Sequence, residues 1–390
     1  MTGDIISSMS KKLEKILLFL LVILLPSQLA FHFWPSWSLI NGIRVDYLSP
    51  TLYFTDLIIF GLFLSSRLRV RVSLPVIIFV VLNILISYSP LVSLYKWLRA
   101  LEYFWLFKYL VQNIHKSSII NLKSLSLAVI WTAALAWWQF FLQHSVGGLW
   151  WWLGERPLSV TAPLIAKVSF SGQIVMRSYA TFPHPNALAG FLLVSALLLY
   201  RRVPWATALA LLTIPITFSR SAIILEIGIL IIGIYLKIVN WKLKIATALA
   251  VVVSSIYFLL STTGSISSLP ERIYLILNSL FLIFKSPFLG VGLGNFLPSA
   301  GLFQPVHNIY LLLASELGLP AFLIIGYYVC KNYLKIGNWK LKIAILVVAA
   351  TGLVDHYWLT LHQTSLMLVL LLSLLYAKSD KHILRRRSQR

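Results

Sequence analysis

STTGSISSLPERIYLILNSLFLIFKSPFLGVGLGNFLPSAGLFQPVHNIY, residues 261–310, lies between two long apolar runs and holds most of what those runs lack. It opens with a short polar piece and continues as an amphipathic piece carrying Arg272. A turn-rich GVGLGNFLPSAG follows, and His307-Asn308 stand where the next apolar run begins. A polar, glycine-rich segment of this length between runs that can each span a hydrocarbon core of about 30 Å reads as the extramembrane part of a polytopic membrane protein. That reading decides the fold.

The rest of the chain agrees with it. Hydrophobic residues make up 59% and charged residues 11% of the 390, a balance no soluble domain carries. No soluble domain separates out, and residues 1–390 read as one integral membrane domain. The net charge of +22 suggests nucleic acid at first sight. The basic residues fall instead in short clusters between apolar runs, as the positive-inside rule expects, and form no basic stripe. Cys330 stands alone in the sequence and can form no internal disulfide. The run Ile16–Ala30 follows Lys11, Lys12 and Lys15 like a signal peptide, but PSQLAFHFWP lacks a small-x-small cleavage site. It reads as a retained first helix.

Apolar runs predict about twelve transmembrane helices, near 13–30, 51–66, 74–88, 91–110, 122–142, 185–200, 203–218, 221–236, 243–260, 307–330, 341–359 and 362–377. With the N-terminus cytoplasmic, the inner loops collect Arg67/Arg69/Arg71, Lys108/Lys116/Lys123, Arg201/Arg202, Lys237/Lys242/Lys244 and Lys331/Lys335/Lys340/Lys342. The outer loops keep only Arg44, Arg156, Lys167, Arg177, Arg220, Arg272 and Lys285. Both termini are therefore predicted inside, with outer loops at 144–183 and 261–306. YLKIVNWKLKIA at 235–246 recurs as YLKIGNWKLKIA at 333–344, a repeated inner hairpin linker whose Trp241 and Trp339 suit the interface.

Charge near a membrane needs a partner or a task. Arg177 and His184 lie in RSYATFPHPNALAG, Arg220 in TFSRSA, Arg272 and His307 in the opening stretch, and Asp355, His356 and His362 in GLVDHYWLTLHQ. The carboxylate and histidine spacing shows no closed metal site, and no nucleophile-elbow pattern marks a Ser-His-Asp or Cys-His set. Guanidiniums suit a phosphate-bearing ligand, because the planar fork pairs with two phosphate oxygens. A neutral imidazole can take a proton from a hydroxyl. Together these groups fit displacement at a carbon bearing a lipid-linked diphosphate, with arginine stabilising the leaving group where a metal would otherwise do so. Snorkelling explains Arg177 or Lys285 equally well, and His184 before Pro185 also suits a helix cap. Glu102 reaches Arg99 one helical turn away, Glu226 and Glu316 are expected to find partners in the bundle, and Asp46 and Asp56 suit turn and cap positions. GVGLGNF alone is a common kind of turn between helices.

RSYATFPHPNALAG, TFSRSA, Arg272 followed by SPFLGVGLGNF, and HNIYLLLASELG, in that order over residues 177–320, resemble the O-antigen ligase and polymerase family, with DHYWLT at 355–360 a continuation. Ala180 stands where the family pattern leads one to expect glycine. The resemblance implies an all-α membrane bundle of GT-C-like architecture and a metal-independent inverting glycosyltransferase without a cofactor. Its donor would be a polyprenyl-diphosphate-linked glycan, and its acceptor a hydroxyl on glycan, lipid or protein. The active site would face outward from the bacterial cytoplasmic membrane, in cell-surface polysaccharide biosynthesis. It further implies that Arg220 and Arg272 hold the diphosphate, that His307 activates the acceptor and that Asp355 orients donor or acceptor. Arg177, His184 and His356 remain substrate-binding candidates.

Chain polymerisation and transfer to protein hydroxyls use the same chemistry, and the outer loops that choose the acceptor do not separate them. A lipid-glycan flippase would place ionisable residues along a central path, for which Lys96, Arg99, Glu102 and Glu226 are candidates, and would carry domain repeats, which the sequence lacks.

Overall fold

Among the described residues, helices lie near most of the predicted apolar runs with shifted ends, and proline and asparagine set where several of them start. A computed structural model describes residues 2–66, 68–113, 122–170, 172–235, 253 and 269–387. Its helices are α1 (Thr2–Ile23), α2 (Phe54–Ser65), α3 (Leu74–Leu85), α4 (Pro90–Asn113), α5 (Leu122–Leu142), α6 (Pro185–Leu199), α7 (Pro204–Thr213), α8 (Arg220–Tyr235), α9 (Leu269–Lys285), α10 (Phe296–Ala300), α11 (Ile309–Leu334), α12 (Trp339–Gly352), α13 (Tyr357–Thr360) and α14 (His362–Arg387). The segment predicted at 243–260, the first copy of the repeated linker beyond Tyr235, and the polar opening at 261–268 lie outside the described residues. Proline occupies the first turn of α3, α6 and α7, where its missing N–H removes no helical bond. Asn308 caps α11, its Oδ1 accepting from Tyr310 and Leu311 N–H at 2.9 and 3.0 Å. Asp56 accepts from Tyr53 N–H at 2.8 Å, the cap read for it in the sequence.

α5 and α11 are long and apolar enough to cross a bilayer. α2, α3, α6 and α7 are apolar but shorter, at 12, 12, 15 and 10 residues. At about 1.5 Å per residue they fall short of a full hydrocarbon core, so the apolar runs overstate helix length there. Phe60 and Phe63 of α2, Ile77 and Ile78 of α3, Phe281 and Phe284 of α9 and Leu323 and Ile324 of α11 are exposed, an apolar outer surface suited to lipid.

α6 is the axis of the bundle. It is apolar all round and buried over almost its whole length, with α5, α7, α8, α12 and α14 packed around it. Gly190 lets α13 close on α6: a Cβ there would lie 2.5 Å from the Tyr357 hydroxyl. Trp358, fully buried beside it, donates from Nε1 to Thr351 Oγ1 at 2.8 Å.

Two predicted helices are interrupted. The run at 341–359 breaks after Gly352, and residues 353–356 connect α12 to α13 without helix. The Asp355 carboxylate, drawn to partners on other segments, leaves the helical path there. The run at 307–330 kinks at Gly318 (φ 79°, ψ 163°), just before Pro320. The glycine-rich loop supplies the backbone partners that this kink displaces: Val291 and Gly292 N–H donate to the carbonyls of Ser315 and Glu316 at 2.9 and 3.1 Å, and Leu319 N–H donates to the Pro287 carbonyl at 2.7 Å. Gly290 (φ +67°) admits no side chain, since a Cβ would lie 2.3 Å from the Glu316 backbone. GVGLGN is thus a close-packed backbone splice, and Glu316 is partnered by Tyr47 Oη at 3.1 Å and Phe296 N–H at 3.2 Å.

The bundle is not purely helical. Antiparallel two-stranded ribbons pair β1 (Ala30–His32) with β4 (Thr51–Tyr53), β2 (Leu39–Ile40) with β3 (Ile43–Arg44), and β5 (Lys167–Phe170) with β6 (Gln173–Met176). The segment at 144–183 is anchored by buried Gln139, whose amide bonds Glu155 Oε1 at 2.8 Å and both backbone groups of Ala180. Ala180 has φ +50°, a left-handed conformation that explains the glycine expected there. Glu226 departs from expectation: both carboxylate oxygens are buried with no hydrogen-bond partner among the described residues.

Candidate functional site

Segments far apart in sequence meet at one end of α6. Arg177 follows β6 and turns its guanidinium inward, Nε donating to the Thr217 carbonyl at 2.7 Å and Nη2 to Asn186 Oδ1 at 2.5 Å. Asn186, in the first turn of α6, donates from Nδ2 to Asp355 Oδ2 at 2.7 Å. One amide therefore bridges a guanidinium and a carboxylate. The other carboxylate oxygen, Oδ1, accepts from His356 N–H at 2.8 Å and lies 3.7 Å from His307 Nδ1, an ion-pair distance longer than a hydrogen bond. The rings of His307 and His356 are 5.0 Å apart between centroids. Thr360 Oγ1, a turn later in α13, sits 2.7 Å from His356 Nδ1 and fixes that ring.

His184 caps α6, its Nδ1 accepting from Asn186 N–H at 3.2 Å. Arg220 is exposed in the first turn of α8, directly after the Thr217 carbonyl that Arg177 holds, and the two guanidiniums repel. A cation at a helix N-terminus opposes the macrodipole, so Arg220 together with the positive end of α8 favours an anion. Arg272 is half-buried in the first turn of α9, which packs against α11. Among the described residues no ion pair joins Arg272 to the cluster.

Burial decides most of the charge states. It pushes the His184 imidazole down to about 3, helped by the Arg177 charge. It pushes His356 down to about 4 against the pull of Asp355. Both rings are neutral near pH 7. Burial and the neighbouring Arg220 lower Arg177 to about 10, still charged at neutral pH. Burial alone would raise the Asp355 carboxyl, but His307, His356, His184 and Asn186 outweigh it and hold the group ionised far below the usual carboxylate range. The site contains one carboxylate, a bridged guanidinium and imidazoles.

Of the residues singled out in the sequence, Arg177, His184, His307, Asp355 and His356 come together, and Arg220 adjoins them. His362 does not join them. It is buried at the start of α14, with Thr55 Oγ1 at 2.7 Å from Nε2, Tyr103 Oη at 2.7 Å from Nδ1, and Tyr53 stacked on it at 4.0 Å. Its partners come from β4, α2 and α4, which no local pattern in GLVDHYWLTLHQ announces. Asn186 is the residue that sequence reading missed. It sits beside a histidine cap and looks like an ordinary first-turn residue; only the order Arg177, Asn186, Asp355 in space shows that it bridges the two. Although the sequence spacing shows no closed metal site, the fold brings ligand-capable atoms of His307, Asp355 and His356 within 4.8 Å of one another.

Comparison with known families supports the resemblance read from the motifs. Residues 205–326 match the O-antigen ligase family. The match includes Arg220, Arg272, the glycine-rich splice and His307; Arg177, His184, Asp355 and His356 lie outside it and reach the site through the fold. No curated protein and no solved structure matches the chain. The similarity is to an O-antigen ligase, and together with the apolar helices it indicates an integral membrane protein.

Proposed function

We propose that the chain transfers a glycan from a polyprenyl-diphosphate carrier to an acceptor hydroxyl, without a metal and with inversion, on the outer face of the bacterial cytoplasmic membrane. One observation carries the reading: His307, within the family match, faces the ionised Asp355 at 3.7 Å in a cluster that also contains Arg177 and adjoins Arg220.

The step is a single displacement at the anomeric carbon. The acceptor oxygen attacks that carbon as its bond to the diphosphate oxygen breaks, and the hydroxyl proton passes to His307. Asp355 faces Nδ1, so Nδ1 carries the resting proton and Nε2 receives the new one; the carboxylate then stabilises the imidazolium. The departing diphosphate gains charge, which Arg220, the first turn of α8 and Arg272 stabilise. Asn186 keeps Arg177 and Asp355 from collapsing into a direct pair, leaving the carboxylate available to His307. The acceptor is a hydroxyl of glycan, lipid or protein, chosen by the segments at 144–183 and 261–306. A flippase reading gains nothing from Arg99 and Glu102, which are closed on each other at 2.7 Å.

The test supplies purified protein with a polyprenyl-diphosphate glycan, a panel of acceptors and EDTA, and follows released lipid diphosphate. Acceptor-dependent release that persists in EDTA and is lost in Arg220→Ala, Arg272→Ala and His307→Ala is expected. Release retained in all three variants would overturn the assignment, and movement of the lipid glycan across vesicles without release would replace it with transport.

A further inference from the structure

The trio His307, Asp355 and His356 has more order than a proton transfer needs. His307 Nδ1 is buried and has no hydrogen-bond partner among the described residues. Asp355 Oδ1 lies 3.7 Å from it, and the ligand-capable atoms of His307, Asp355 and His356 all fall within 4.8 Å. Each of the latter two residues is braced from behind. Thr360 Oγ1 holds His356 Nδ1 at 2.7 Å, leaving Nε2 as the ring nitrogen for a ligand. Asn186 Nδ2 holds Asp355 Oδ2 at 2.7 Å, while Oδ1 accepts from His356 N–H at 2.8 Å and keeps a second lone pair for a ligand. Hydrogen bonds to the second nitrogen or oxygen of a ligand are how metal sites fix tautomer and orientation.

We propose that His307 Nδ1, Asp355 Oδ1 and His356 Nε2 form a three-ligand site for a divalent transition cation of the zinc class, and that filling it inhibits the chain. Zinc takes imidazole nitrogen and carboxylate oxygen at about 2.0–2.2 Å, which puts two ligand atoms on one ion roughly 3.3–3.5 Å apart. His307 and Asp355 need to close by only a few tenths of an ångström, and His356 closes from no more than 4.8 Å by a small shift that keeps its Nδ1 on Thr360. Calcium and magnesium are disfavoured, since each demands about six or more oxygens and the trio offers one carboxylate. Affinity follows copper and zinc over manganese and iron.

The binding half rests on geometry alone. The inhibitory half rests on the transfer reading above. A metal on Nδ1 displaces the proton from that nitrogen, and the neutral ring then carries its proton on Nε2. Nε2 can no longer accept one from the acceptor hydroxyl. The bound cation also neutralises Asp355, which otherwise supports the imidazolium.

The experiment titrates cobalt chloride into metal-free protein in detergent, reads the visible absorption of cobalt in a low-coordinate nitrogen and oxygen field, and measures zinc by calorimetry. One ion per chain is expected, weakened about 10–100-fold in Thr360→Val, whose hydroxyl acts only from behind the ligand, and lost in His356→Ala. His307→Ala should lose the cobalt spectrum while keeping its melting temperature. No binding by wild type, or the same affinity and spectrum in the His307→Ala/His356→Ala double variant, would overturn the site. In the transfer assay zinc should stop turnover, EDTA should restore it, and Thr360→Val should need more than tenfold more zinc. Zinc that binds at the site and leaves turnover unchanged would overturn the inhibitory half. Transfer that requires zinc would uphold the site and overturn the metal-free reading instead.

Discussion

Two clusters of arginine, carboxylate and histidine flank α13, and they are built on opposite principles. Around His362 every group is closed. Arg99 donates to Asp56 at 2.6 Å, to Glu102 at 2.7 Å and to the Thr51 carbonyl at 2.6 Å, and both ring nitrogens of His362 have hydroxyl partners. Around Asp355 the groups are held but not finished: Asn186 keeps guanidinium and carboxylate apart, and His307 Nδ1 has no hydrogen bond among the described residues. Composition is nearly the same. What differs is saturation, and saturation separates a cluster that fastens helices from one able to meet a substrate.

Arg99→Ala attacks the closed cluster where it is most dependent. It leaves buried Asp56 and half-buried Glu102 without their cation, and removing the partner of a buried charge costs about 3–5 kcal/mol. The detergent-solubilised protein should melt far lower, and the comparison breaks if it melts like wild type. His307→Ala attacks the open cluster, and the opposite result is expected. Turnover should drop about 100-fold or more, the range for loss of a general base, with melting unchanged. Asn186→Leu lies between the two. It strands Arg177 and Asp355, at about 1–3 kcal/mol for a buried group left unsatisfied, and kcat should fall with it while the closed cluster stays intact by hydrogen exchange at α4. An unchanged kcat would reduce Asn186 to a structural bond. Ala180→Gly touches neither cluster directly. Relief of the left-handed backbone and loss of a buried methyl offset each other within about 1 kcal/mol, whereas Ala180→Val should cost more. Melting temperatures of the two variants check this.

The clusters also differ in how far the sequence discloses them. Apolar runs place the helices, because burial in a bundle or in lipid needs continuous apolar length. The order of Arg220, Arg272 and His307 carries the family resemblance. Arg99 with Glu102 is legible as a one-turn pair, and glycine is expected at the position where Ala180 shows φ +50°. Other features depend on contacts that sequence spacing does not encode. His362 is claimed by Thr55 and Tyr103, hundreds of residues away in the chain. The break at residues 353–356 lies within an apolar run and comes from the carboxylate's distant partners. Asn186 acquires its place only when α6 and the α12–α13 turn meet, which Gly190 permits by admitting Tyr357. The glycine-rich stretch reads as a turn, and its function as the backbone partner of a kinked helix appears only beside Gly318.

The most direct measurement compares His307→Ala with His362→Ala, each in the same detergent, for melting temperature and for acceptor-dependent release of lipid diphosphate. The account predicts that His307→Ala melts like wild type and loses release, while His362→Ala melts several degrees lower and keeps its turnover per folded molecule. If His307→Ala retains release, or if the two variants fail in the same way, the distinction between the open and the closed cluster is wrong.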